Sequence, residues 1–260
     1  MKEGPDGISS RGNVVKLAAI RGNSQRLDGG AMFGHAPRAL WAQWLEPDED
    51  NRVSLQCRAL LVEHQGRKIL LETGIGSFFA PRLRSRYGVV EPNHVLLDSL
   101  QAHGMGHTDI DVVILSHLHF DHAGGLLAPF QEGREPELLF PNARFVVSRI
   151  AFERAQAPHL RDKASFIEEL PDLLLGSGRL ELVEAEQPQL DWLGDAFVFE
   201  QTHGHTPGML HTTLRQNSQE VFFCADLVPG VAWGVVSMPG TTGVRCTWFV
   251  LGCHLPLGSR

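Results

Sequence analysis

The chain has 260 residues, enough for one large domain with a substantial core. Its composition, 43 % hydrophobic and 20 % charged, is that of a globular protein, and no apolar run reaches membrane-spanning length. A formal net charge of −7 argues against a basic nucleic-acid face, so no nucleic-acid or membrane partner is expected.

In chain order, residues 1–14 are polar and Gly-rich and are expected to be disordered. They carry no apolar signal-peptide core, which makes the cytoplasm the expected location. "NVVKLAAIRG" and "VSLQCRALLVEH" read as strands, and "GRKILLETGIG" as a strand ending in a Gly-rich turn. "HVLLDSLQAHG" has the apolar spacing of a helix, closed by Gly104. "DIDVVILSH" is a buried strand and "NARFVVSR" another. From Ile150 to about Leu175 the chain is mostly helical, interrupted at Pro158 and Pro171. "GRLELVEA", "AFVFEQTHG", "MLHTTLRQ" and "EVFFCAD" are four short strands close in sequence, for which antiparallel pairing is expected. Such an order suits two sheets face to face with helices outside, a layered α/β sandwich without a dividing linker.

The four cysteines, Cys57, Cys224, Cys246 and Cys253, form no CxxC pair and no disulfide framework. The chemistry concentrates in the thirteen histidines, above all in "SHLHFDHAGG", residues 116–125. One residue separates His117 from His119, so an extended backbone can aim both at one point. Asp121 and His122 follow and can serve a second point beside it. Imidazole suits zinc and similar divalent metals, and a carboxylate adds a harder ligand. An accidental His-rich loop directly after a buried strand is a poor competitor to that reading. Further ligands are expected at later strand ends. His205 stands in the Gly-flanked turn "THGHTPGM", and Asp226 stands just past the strand "VFFCAD".

"HLHFDH", "GHTPG" and "ADLVP", with "LLETGIG" and "LDGGAMFG" upstream, strongly resemble the metallo-β-lactamase-fold hydrolase superfamily. The last of these resembles the branch that includes quorum-quenching N-acylhomoserine lactonases and many uncharacterised hydrolases. The resemblance runs from about Val14 to Pro239. It implies a four-layer αββα sandwich of two mixed sheets with outer helices, C-terminally incomplete, with residues 15–239 as the hydrolase domain. It also implies two divalent metal ions, zinc first among them: His117, His119 and His205 would hold one, Asp121 and His122 the other, and Asp226 would bridge. The implied reaction is hydrolysis by a metal-activated water of a small lactone or other ester-like molecule, with Asp121 orienting the nucleophile or carrying a proton. Thioester hydrolysis of the glyoxalase II kind is the alternative enzyme reading, and a metal-binding pseudo-enzyme without turnover is the non-enzyme one. β-Lactamase activity ranks low.

Two departures matter. The family's Asp-Thr-Gly is Glu72-Thr73-Gly74 here. The resemblance also implies one more histidine for the second metal after Asp226. Only His254 remains, in a Pro- and Gly-rich terminus where an exposed or disordered residue is expected. Residues 240–260 read as a non-native tail, expected to reflect a shifted reading frame after Pro239. His107, His203 and His211 are expected to sit behind the ligands or at the surface.

Overall fold

The computed structural model describes residues 16–216, 219–234 and 249–250. The expected 1–14 tail, most of the 240–260 tail and His254 lie outside them.

β1 (Lys16–Asp28) leads into two short helices, α1 (Gly29–Phe33) and α2 (Arg38–Trp41), and then into β2 (Arg52–His64) and β3 (Arg67–Leu71). After α3 (Pro81–Arg86) and α4 (Val95–Ala102) come β4 (Val112–Ile114) and the short α5 (Phe120–Ala123). β5 (Arg144–Ser148), α6 (Arg149–Gln156), α7 (Leu170–Gly176) and β6 (Leu180–Val183) complete the first half. The second half holds β7 (Phe197–Thr202), β8 (Met209–Gln216), β9 (Gln219–Phe223), α8 (Val231–Gly234) and the two-residue β10 (Phe249–Val250). No helix among the described residues is long and apolar enough to cross a membrane.

The strands form two mixed sheets. Six run in the order β1-β2-β3-β4-β5-β6 and four in the order β10-β9-β8-β7. β1, β2 and β3 pair antiparallel, and β3 to β6 pair parallel. The central strands alternate between two buried faces, as a pleated strand covered on both sides must. Leu70, Val113, Phe145 and Val147 face a core shared with Leu96 and Leu100 of α4, Phe152 of α6 and Leu174 of α7. Ile69, Leu71, Val112, Ile114 and Val146 face the other way, onto Phe197, Phe199, Leu210, Leu214 and Phe223 of the second sheet. Helices outside and sheets face to face are the mixed α/β arrangement that the element order implied.

One expected pairing is corrected. "GRLELVEA" forms β6, which pairs parallel with β5 and does not join the later three strands. The α6–α7 crossover separates β5 from β6, and a helical crossover returns the chain parallel to the strand it left. β7, β8 and β9 do pair antiparallel, because their connections are short turns. Pro171 does not break a helix: it sits in the first turn of α7, where its missing N–H costs nothing.

Two local devices shape the site. Between Arg21 and Ser24 the β1–β2 register shifts. That bulge turns Asn23 inward, where its side chain donates to the Glu91 and Asn93 carbonyls and accepts from the Val95 N–H. Past the bulge, Gln25 is fully buried on the site side. The turn after β3 is clasped against the turn after α5: Thr73 donates twice to the His122 carbonyl, and the Gly125 N–H donates to Gly74 O at 2.8 Å. A Cβ on Gly125 would stand 2.1 Å from the Thr73 carbonyl oxygen, so only glycine permits this approach.

Candidate metal centre

Three loops or turns bring the histidine stretch, His205 and Asp226 together, each at the carboxyl end of a strand. β4 delivers His117 and His119. His119 caps α5, whose first turn bears Asp121 and His122. The β7–β8 turn carries His205, and the turn after β9 carries Asp226. Ligand atoms of His117, His119 and His205 lie within 4.8 Å of one another, and so do those of His117, His122 and Asp226.

The contacts within the cluster are specific. His205 Nε2 stands 3.1 Å from His119 Nδ1 and 3.4 Å from Asp226 Oδ2. Asp226 Oδ2 lies 3.3 Å from His122 Nε2, so this carboxylate touches both halves of the cluster. Asp121 Oδ2 is 3.8 Å from His122 Nε2 and accepts a hydrogen bond from Gln25 Nε2 at 3.2 Å. The second group therefore has His117 as its near third member, with Asp121 beside it.

Behind the ligands stands a second set of contacts. Ser116 Oγ is 2.8 Å from His117 Nδ1, which leaves Nε2 of that ring facing the cluster. Glu72, fully buried, accepts from the Ser116 N–H at 2.8 Å and faces His122 Nδ1 at 3.2 Å. Partners of this kind fix which nitrogen of an imidazole is presented to a metal. Glu72 (φ 67°) and Ala225 (φ 45°) both hold a left-handed backbone that costs non-glycine residues about 1–3 kcal/mol. Each lies next to the cluster, where such strain commonly serves a site.

Burial and mutual proximity set the charge state. His117 is pushed well below the usual histidine range by burial and then by His122 and His119. His119 falls to about 4, again by burial first and then by His205. Burial would raise Asp226, but His122, His205 and His117 hold it well below the usual carboxylate range. A neutral His117 and His119 beside an ionised Asp226 are protonation states that metal binding needs.

The donor set suits a divalent cation. His117 Nε2, His119 Nε2 and Asp226 Oδ1 are buried and have no hydrogen-bond partner among the described residues. Buried polar atoms are normally paired, and this concentration of open nitrogen and oxygen atoms suits a borderline or hard divalent metal.

A cleft of about 670 Å³ opens on the cluster. His119, Asp121, His205 and Asp226 line its floor, and Leu27, Met32, Leu227, Pro229 and Trp233 form an apolar wall. Trp233 is the end of a ring stack: Phe33 lies between it, at 4.5 Å, and Trp41, at 5.1 Å. The Trp233 indole N–H donates to the Met32 carbonyl at 2.9 Å, locking α8 to α1.

The three other histidines that the sequence singled out lie outside the cluster. His107 packs edge-on to Phe140, and His203 Nδ1 accepts from the Gly208 N–H. His211 is buried behind Thr202. Sequence reasoning missed Gln25, Ser116 and Thr202 as neighbours of the site. Only the Glu72 departure gave a signal that the surroundings of the ligands differ.

Comparison with known proteins agrees with this fold. The family model for the metallo-beta-lactamase superfamily matches residues 53–244. AttM, an N-acyl homoserine lactonase of Rhizobium radiobacter, is 29 % identical over 106 residues. That match takes in 38 % of this chain and 36 % of the lactonase, so it spans about a third of the relative's length. A probable metal-dependent hydrolase from Staphylococcus aureus is 25 % identical, with a TM-score of 0.74 over 85 % of this chain and 76 % of that one. AidC, a dizinc quorum-quenching lactonase solved with N-hexanoyl-L-homoserine as product, is 23 % identical. Its TM-score is 0.64 over 84 % and 73 % of the two chains, a likeness of fold.

Proposed function

This chain belongs to the metallo-beta-lactamase superfamily, and we propose that it is a metal-dependent hydrolase that opens a lactone or other ester-like small molecule with activated water. The observation that carries this reading is the convergence of His117, His119, His205, His122 and Asp226 in one cluster beside the cleft, with the buried His117 Nε2, His119 Nε2 and Asp226 Oδ1 left open.

His117, His119 and His205 would hold one divalent cation, Asp121 and His122 a second, and Asp226, in contact with both halves, would be shared. Zinc is the first choice for so many imidazoles. Bound there, such cations supply Lewis acidity and bring the ionisation of water toward neutral pH. The protein supplies the rest. Asp121, held by Gln25, accepts the proton of the attacking water and passes it to the departing alkoxide. The apolar wall from Leu27 to Trp233 excludes bulk water and receives the uncharged part of the substrate. A neutral ester suits that wall better than an anionic thioester conjugate. The two lactonases named above act on substrates of this kind by name, which supports placing lactones first.

The test is a metal assay followed by a substrate screen on freshly purified protein. About two equivalents of metal and turnover of a γ-lactone are expected, with His119→Ala losing both. Full activity in His119→Ala, or turnover of thioesters or β-lactams in preference to lactones, overturns the proposal.

A further inference from the structure

We propose that Thr202 is a specificity-determining residue of this cleft, whose hydroxyl oxygen meets the substrate as a hydrogen-bond acceptor and selects esters or lactones that carry an N–H or O–H donor. The proposal rests on the lactone or ester reading above and adds to it a polar requirement that the metal ligands do not impose.

One buried histidine takes no part in the proposed chemistry. His211, on β8, is 1 % exposed and has two polar neighbours. Its Nδ1 lies 3.1 Å from the Cys224 carbonyl oxygen, and its Nε2 lies 2.8 Å from Thr202 Oγ1. A carbonyl oxygen can only accept, so Nδ1 carries the proton. Burial lowers the ring's pKa to about 4, although the Cys224 carbonyl favours the charged form, so the imidazole is neutral near pH 7. A neutral ring with its proton on Nδ1 has a bare Nε2, which accepts. Among the described residues the Thr202 hydroxyl faces it at hydrogen-bond distance and donates, so its proton is committed inward.

Thr202 is the last residue of β7 and lines the same cleft as His119, Asp121, His205 and Asp226. With its proton turned toward His211, it offers the cleft only lone pairs. A free threonine hydroxyl rotates to suit either a donor or an acceptor; this one is fixed by the protein. A substrate that places a donor opposite it gains a hydrogen bond, whereas one that places an ether or ester oxygen there faces repulsion between lone pairs.

The experiment uses metal-loaded protein and two γ-lactones identical except at the ring carbon next to the carbonyl. One bears an acylamino group with its N–H, the other a 2-oxoalkyl group with a methylene in place of the N–H. The corresponding 2-substituted cyclopentanones, which cannot be hydrolysed, serve as binding probes by calorimetry. A preference of roughly tenfold for the N–H member is expected in kcat/KM and in affinity. Thr202→Ser should keep the preference and Thr202→Val should bring it to about one. A purely structural Thr202 would weaken both members equally in Thr202→Val and leave their ratio unchanged, which overturns the assignment. A ratio near one in the wild type, or failure of both ketones to bind, overturns it as well. Loss of lactone turnover with a preserved ketone preference would count against the proposed reaction and leave Thr202 supported. Thermal melts of the three proteins show whether Thr202→Val is folded, and Thr202→Ser stands as the folded control.

Discussion

Glu72 Oε2 and His122 Nδ1 meet at 3.2 Å with both side chains fully buried. The other oxygen of the same carboxylate receives the Ser116 N–H, and Ser116 Oγ stands against His117 Nδ1. One carboxylate thus fixes ring orientation in both halves of the candidate centre. Glu72→Gln preserves size and removes the charge. We expect metal affinity to fall about 10- to 100-fold with far-UV circular dichroism unchanged. A chelator-competition titration measures this; an unaltered affinity would show that Glu72 has no orienting role.

Asp226 is the carboxylate that touches His122 at 3.3 Å and His205 at 3.4 Å. Asp226→Asn should therefore lower occupancy of both metal positions. His205→Ala should mainly affect the His117–His119 group. Metal per chain by elemental analysis separates the two patterns, and equal losses in the two variants would count against a shared role for Asp226.

Acid stability offers a test on metal-stripped protein. His119 and His211 are both buried and held near 4, below the 6.5 of an exposed histidine, so the folded chain takes up their protons only at lower pH than the unfolded chain. Unfolding therefore binds protons between roughly pH 6.5 and 4, and stability falls as pH drops through that window. Each histidine accounts for up to about 3 kcal/mol at the acid end. Urea midpoints measured at intervals across the window should decline steadily. His211→Gln should flatten the slope, and an unchanged slope would refute the assignment to that ring.

Gly125 packs against the Thr73 carbonyl with no room for a Cβ. Gly125→Ala must push apart the two turns that seat Glu72 and His122. A loss of roughly 1–3 kcal/mol in stability is expected, as for overpacking elsewhere. Metal affinity should fall with it. Gly133→Ala, at a positive-φ glycine with open space around it, is the control: it should be milder and leave metal affinity alone.

The sequence determined the parts whose signal is local. His117, His119, Asp121 and His122 are close in the chain, and the buried strand before them fixes where they emerge. Short, continuously apolar runs in "RKILL" and "RFVVS", and the closing Gly104, marked β3, β5 and the end of α4 for the same reason. His205 and Asp226 were legible because each follows an apolar strand in a short motif. What only the tertiary structure decided are the contacts between segments far apart in sequence. β6 joined β5 because its crossover passes through two helices, a fact of chain geometry that nearness to β7 concealed. Gln25 reaches Asp121 across 96 positions through a bulge in β1. Thr202 acquires a fixed proton only because β8 brings His211 against it and the Cys224 carbonyl dictates the tautomer. Hydrogen-bond direction is a property of the assembled network, and no single stretch of sequence contains it.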